Sequence, residues 1–174
     1  MNRTTALIVL AGLPGVGKTS IAMELASLIG GVFVRIDSIE LALHASGQSA
    51  ETVGTGGYSV GYAIARDNLR LGLTVIADSV NPLPATRDAW RDVAQETGSV
   101  VMEVEVVCSD RLEHRRRVDQ RSGLVPELSG PTWAEVEARD YRSWNRDRLM
   151  LDTAALTPAQ GAAAIRTALA AISN

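Results

Sequence analysis

The stretch Ala6-Leu7-Ile8-Val9-Leu10-Ala11-Gly12-Leu13-Pro14-Gly15-Val16-Gly17-Lys18-Thr19 decides how the rest of the chain is read. Six apolar residues in an unbroken run, stopped by a glycine, describe a strand buried on both faces, as in a parallel sheet. From Gly12 to Thr19 the chain fits G-x-x-x-x-G-K-[ST] with every fixed position filled. Glycine backbones reach angles closed to other residues and let successive N–H groups turn inward around an anion. From Thr19 to Ile29, residues Ile21, Ala22, Leu25, Leu28 and Ile29 recur at helical spacing, and Gly30-Gly31 ends the pattern. The positive end of that helix adds to the anion site. Lys18 can reach the β- and γ-phosphates of a nucleotide, and Thr19 can offer its hydroxyl to Mg²⁺. Gly12, Leu13, Pro14, Gly15, Val16, Gly17, Lys18, Thr19 and Ser20 are thus the expected nucleotide-binding segment, with Lys18 also catalytic. A chance match in a glycine-rich turn is the alternative, and the strand before and helix after speak against it.

Outward from this point, strand-like and helix-like segments alternate. Strands are predicted at Val32–Ile36, Thr74–Ala77, Val100–Val107 and Arg148–Leu151. Helices are predicted at Ser38–Ala45, Ser59–Leu71, Pro84–Thr97, Asp110–Gln120, Trp133–Arg146 and Pro158–Ile172. Gly47–Gly57, with four glycines, reads as a loop, and so does Ser122–Pro131. Glu103 and Glu105 alternate with valines and suggest that Val100–Val107 is an edge or has an exposed face. Strands separated by helices imply parallel βαβ units. The expected fold is a doubly wound α/β architecture, with about five parallel strands and helices on both faces, in one domain over residues 1–174.

Composition bounds the function. The chain has 174 residues, 46% hydrophobic and 21% charged, with a net charge of −3. An acidic balance disfavours wholesale capture of nucleic acid or anionic membrane. Cys108 is the one cysteine, which allows no intrachain disulfide and suits a reducing compartment. Arg3 and the apolar Ala6–Leu13 could open a signal peptide, but the run is short and passes into Gly15, Gly17 and Lys18. No segment reaches the roughly 18–20 apolar residues of a membrane span, so a cytoplasmic protein is expected.

With its glycine-rich loop between strand and helix, the chain resembles the small P-loop kinases. These include the shikimate, gluconate and adenylylsulfate kinases and the related antibiotic phosphotransferases. It looks most like the compact kinase-like proteins described as AAA-type ATPase domains in bacteria. The resemblance covers nearly the whole chain in element order, and implies a nucleoside-monophosphate-kinase-like fold with a short lid, here around residues 115–133. It also implies ATP and Mg²⁺ as ligands.

Several further residues become candidates. Asp37 follows the second strand, where open parallel sheets gather ligands, and similar kinases use an acid here to orient or deprotonate the acceptor hydroxyl. A helix N-cap is its structural alternative. Relatives often carry a substrate-binding arginine three residues on. Glu40 stands there instead, which argues against an anionic acceptor group at that spot. Asp78 closes Thr74–Ala77 in the Walker B manner and is expected to act on Mg²⁺. Substrate binding or a strand-end cap are its alternatives, and Ser79 and Asn81 are candidates for the same pocket. In Arg111–Arg121, Arg117 and Arg121 lie four apart on one helix face and match the lid pair of small kinases. Arg117 would flank the nucleotide, and Arg121 would stabilise charge in the transition state. A solvated, ion-paired helix is the alternative, and His114 reads as a surface residue. Arg66 and Arg87 are weaker candidates for substrate anions. Trp133, Tyr141 and Trp144 suit one helical stripe, for packing or for stacking an acceptor ring.

Taken together, an ATP-dependent phosphotransferase acting on a small-molecule hydroxyl is expected. A nucleotide sensor without activity and a nucleic-acid end kinase are the alternatives. The sequence names neither the acceptor nor an oligomeric state.

Overall fold

β1, Ala6–Ala11, has no polar side chain, and all six residues are buried. It can only lie inside a sheet covered on both faces, and it does. The computed structural model describes residues 5–122 and 130–172. In it β1 is flanked by β3 (Val75–Asp78) and β4 (Val100–Val107), with β2 (Val32–Arg35) and β5 (Leu149–Asp152) outermost. All four pairings are parallel.

Alternation along each strand divides the core. Ile8, Leu10, Ile76, Val104 and Val106 face α1 (Lys18–Ile29) and α7 (Pro158–Ile172), where they pack on Ile21, Leu25 and Ile165. Leu7, Val9, Val75 and Ala77 face α3 (Ala50–Arg70) and α4 (Pro84–Glu96), packing on Ala65, Leu69, Trp90 and Val93. Burying each Val, Leu or Ile among them stabilises the fold by about 1.5–3 kcal/mol. The doubly wound α/β fold expected from the sequence is the fold observed. Among the described residues, no helix is long and apolar enough to cross a membrane.

Three expectations need correction. The glycine-rich stretch read as a loop from Gly47 to Gly57 enters α3, whose helix starts at Ala50 after Ser49 caps the Thr52 amide. Helix propensity is poor here, but close packing favours it. A Cβ on Gly57 would stand 2.5 Å from Glu40 Cγ, and one on Gly61 2.4 Å from Ile36 Cδ1. The glycines let α3 lie against α2 (Ile36–Ala45).

β4 is an interior strand. Glu103 and Glu105 are 6% and 8% exposed. Glu103 is held by Arg91 at 3.0 Å and by Arg146 at 2.8 Å, and Glu105 by Arg148 at 2.7 Å. Alternation of charge thus marks a face buried under arginines.

The third correction is the helix read over Trp133–Arg146. A capping box of Thr132 and Glu135 starts α6, which spans only Trp133–Glu137. The next residues form a strap without regular structure, because tertiary partners take its backbone groups. The Arg142 N–H donates to the Pro82 carbonyl, and Arg87 donates to the carbonyls of Arg142 and Ser143. Trp133, Tyr141 and Trp144 therefore form no single stripe. Trp133 meets the His114 ring edge-on, whereas Tyr141 and Trp144 flank the Arg87 guanidinium.

Candidate active site

β1 delivers the chain into its loop through a passage that admits no side chain. A Cβ at Gly12, where φ is +142°, would lie 2.2 Å from the Val106 carbonyl oxygen. At Gly15, with φ +85°, it would lie 2.5 Å from Val118 Cγ2. Val118 belongs to α5 (Arg111–Ser122), so the loop is pressed between the sheet and α5. The same helix bears His114, which is 6% exposed and sets Nε2 at 2.8 Å from the Pro14 carbonyl oxygen. The expectation of a surface histidine is thus corrected: His114 braces the loop. Its place three residues before Arg117, on the same helical face, was the signal available in the sequence.

The loop ends in α1. Lys18 is its first residue, 8% exposed, and its Nζ donates to the Leu13 carbonyl at 3.0 Å. No acidic side chain occupies the first turn of α1, so the positive helix terminus is left for an outside anion. Thr19 Oγ1 donates to Asp78 Oδ2 at 2.7 Å. Asp78 is the last residue of β3 and 3% exposed. Burial pushes its carboxyl above the usual range, opposed by the Lys18 charge and the Thr19 hydrogen bond. The pair fits Mg²⁺, since a hydroxyl and one carboxylate are what P-loop proteins add to phosphate oxygens and water around that ion. Among the described residues, no group of three or more His, Cys, Asp or Glu could hold a metal.

Parallel register sets Arg35, the last residue of β2, beside Asp78. Arg35 Nη2 donates to Asp37 Oδ2 at 3.0 Å, and Nε lies 3.8 Å from Asp78 Oδ2. Asp37 stands in the first turn of α2, whose N-cap position is Arg35. The N-cap alternative for Asp37 therefore falls away.

Two clefts meet over these residues. The smaller, about 470 Å³, runs past Gly15, Gly17, Ser20, Arg117 and Gln120. The larger, about 900 Å³, is walled by Asp37, Glu40 and His44 of α2, Tyr58 of α3, Thr86, and Arg139 of the strap. Arg117 reaches the smaller cleft on a fixed arm. Its guanidinium donates to Glu113, to Thr153 Oγ1 at 2.8 Å and to the Thr153 carbonyl at 3.1 Å. Thr153 Oγ1 in turn donates to the Val16 carbonyl at 2.7 Å, linking α5, the end of β5 and the loop. Hydrogen bonds from Arg116 and Arg117 hold the Glu113 carboxyl down to about 2.

In the larger cleft, burial and the neighbouring Asp37 push the Glu40 carboxyl up, partly offset by Arg139. Burial likewise raises the Tyr58 hydroxyl, which accepts from the Asn81 N–H at 3.1 Å. Asn81 itself is wholly buried and lines neither cleft, its Oδ1 accepting from Trp90 Nε1.

Of the expected residues, the loop, Asp37, Asp78 and Arg117 come together. The Arg121 side chain and residues 123–129 of the expected lid lie outside the described residues. Arg66 pairs with Glu96 at 2.6 Å. Arg87 is 2% exposed and directs its donors at backbone carbonyls, so it is a structural residue. Arg35, Arg139 and Thr153 were missed. Arg35 and Thr153 stand at carboxyl ends of strands, where Asp37 and Asp78 had been sought.

A family model described as "AAA domain" matches residues 7–139. No curated protein matches the sequence. Among solved structures, an APS kinase of Mycobacterium tuberculosis in complex with AMPPNP and APS is similar, with TM-score 0.71 and 18% identity, covering 96% of this chain and 98% of that one. A Chaetomium thermophilum protein in complex with ADP-AlF₃ has TM-score 0.73 and 18% identity, over 97% and 100% of the two chains. An unliganded sugar kinase of Janibacter has TM-score 0.69 and 16% identity, over 97% and 95%. At these identities the likeness shows a shared kinase-like P-loop fold.

Proposed function

Since the chain belongs to the AAA domain family, matched over residues 7–139, we propose that it is an ATP-dependent phosphotransferase acting on a small-molecule hydroxyl. The observation that carries this reading is the meeting of two clefts, of about 470 and 900 Å³, over Lys18 and Thr19. A nucleotide held by the loop fills the smaller cleft and presents its last phosphate to a separate chamber large enough for a metabolite. The similar structures that carry AMPPNP or ADP-AlF₃ support the choice of nucleotide.

In this reading the backbone N–H groups of Gly15, Val16 and Gly17, the α1 terminus and Lys18 hold the phosphates. Thr19 and Asp78 would hold Mg²⁺, which when bound neutralises phosphate charge. Arg117 flanks the nucleotide, and Arg121 is the lid arginine. Asp37, at the mouth of the acceptor cleft, orients the hydroxyl and receives its proton. The acceptor oxygen bonds to the γ-phosphorus as the bond from phosphorus to the bridging oxygen breaks, and the electron pair leaves on ADP. Such transfer asks mainly for positioning and charge stabilisation. The whole chain acts as one unit, with the lid around 115–133.

The test is phosphorus NMR of the protein with MgATP and pooled hydroxyl-bearing metabolites and antibiotics, beside Lys18→Ala. A new phosphoester resonance that the variant fails to produce supports the reading. Unchanged ATP across broad pools, with nucleotide bound, counts for a sensor.

A further inference from the structure

Lys18, Thr19 and Arg35 line both clefts, so the passage from nucleotide to acceptor runs between them. The loop motif accounts for Lys18 and Thr19. Arg35 comes from elsewhere, the end of β2, and its position is set by the sheet through its register with Asp78. We propose that Arg35 is a catalytic residue of the phosphoryl transfer, donating to the γ-phosphoryl oxygens as they pass between the clefts. This rests on the phosphotransferase reading above.

The geometry favours this over a clamp that only holds carboxylates. The Arg35 side chain is 26% exposed, and its one hydrogen bond among the described residues is from Nη2 to Asp37. Its Nε is shut off from solvent and has no hydrogen-bond acceptor. The nearest carboxylate oxygen, on Asp78, stays 3.8 Å away. Buried N–H groups nearly always find an acceptor, and Arg35 is one of three residues that line both clefts.

In the transfer, the acceptor oxygen bonds to the γ-phosphorus while the bond to the bridging oxygen breaks. The hydroxyl proton goes to Asp37 and the electron pair leaves on ADP. Charge spreads over three equatorial oxygens, and a planar fork of fixed donors meets them better than a single ammonium does. Being bonded to Asp37, the same guanidinium ties the acceptor's proton-taking group to the phosphoryl group. Standing on the sheet, it is in place before any segment closes.

The test is independent of the acceptor's identity. Affinities for Mg·AMPPNP and for Mg·ADP with aluminium fluoride, a planar phosphoryl mimic, are measured by calorimetry for wild type, Arg35→Ala, Arg35→Lys and Asp37→Asn. Arg35→Ala is expected to bind AMPPNP within about threefold of wild type but the planar mimic ~100-fold more weakly, the usual scale for one lost transition-state donor. Arg35→Lys recovers only part, because a point charge lacks the fork. Asp37→Asn keeps the preference for the mimic, since it removes the carboxylate charge while its amide oxygen can still accept from Nη2 and hold the guanidinium in place. Equal weakening of both ligands by Arg35→Ala, or loss of the preference in Asp37→Asn, overturns the proposal and makes Arg35 a positioning residue. An unchanged Arg35→Ala overturns it outright. Wild type that is folded by circular dichroism yet binds neither ligand overturns the phosphotransferase reading as well. If Arg35→Ala melts below the assay temperature, Arg35→Lys and Asp37→Asn carry the comparison.

Discussion

Replacing Arg87 by methionine keeps an apolar stem of similar reach and removes a buried charge together with all its donors. In the structure Nε reaches the Asn81 carbonyl at 2.9 Å, and Nη2 reaches the Arg142 and Pro82 carbonyls at 2.7 and 3.2 Å. A fourth contact, from Nη1 to Ser143, is long at 3.4 Å. The guanidinium also lies 4.2 Å from the Trp144 ring centre and 5.1 Å from that of Tyr141. Hydrogen bonds from a charged donor are worth about 1.5–3 kcal/mol each, and the two short ones alone give roughly 3–6. Part is recovered when the strap lifts and its carbonyls meet water, so a net loss of about 3–5 kcal/mol is expected, because buried carbonyls are left without their donor. For a chain of this length each kcal/mol moves the melting temperature by about 2–4 °C. Thermal unfolding followed by circular dichroism should therefore show a fall of roughly 10 °C. Hydrogen exchange should rise over residues 138–146 before it rises elsewhere. Arg87→Lys should fall between, having charge without the fork. A variant that melts within about 2 °C of wild type, under the same scale, with exchange unchanged would refute the claim that Arg87 bolts the strap to α4. It would return Arg87 to the ligand-binding candidates.

Asp78→Asn should separate stability from function. Burial raises the Asp78 carboxyl, so the folded state binds its proton more tightly than the unfolded one. That contribution is present below the ordinary carboxylate range and is lost as pH rises through the raised value. The neutral amide escapes the loss, so the variant should melt above wild type near neutrality, with the gain vanishing toward pH ~4. Its metal-dependent nucleotide affinity should fall at the same time. His114→Ala should weaken nucleotide binding several-fold by freeing the Pro14 carbonyl, a loss of about one hydrogen bond. His114→Gln, with a donor of similar reach, should restore most of it. Gly12→Ala should lower stability by about 2–4 kcal/mol, because strain at positive φ and a backbone clash add together.

The sheet was legible because β1 and the loop are local signals: an apolar run, then glycines and Lys18 at fixed spacing. Asp37 and Asp78 could be placed at one cleft because parallel topology gathers the carboxyl ends of strands. What stayed hidden depended on partners distant in sequence. Gly57 looks like a loop residue until the α2 surface that needs its thinness is known. Glu103 and Glu105 look solvated until arginines 12 to 43 residues away cover them. The strap after Glu137 keeps helical periodicity, yet Arg87 draws its carbonyls away from any helix. Arg35 was legible in principle, since Arg35 and Asp37 flank one strand end.

The close seating of α2 on glycines of α3 has an evolutionary consequence. Only Ile36 of its ten residues is fully buried, and the helix is held by fit against a smooth neighbour. Asp37, Glu40, Leu41 and His44 meanwhile turn toward the larger cleft. Exchanging the exposed Leu41 and His44, which take no part in that fit, would redraw the wall of the cleft while leaving the core untouched. Such a helix is a replaceable cassette, on which a lineage can vary the walls of that cleft, and a designer can build a library, with little penalty in folding.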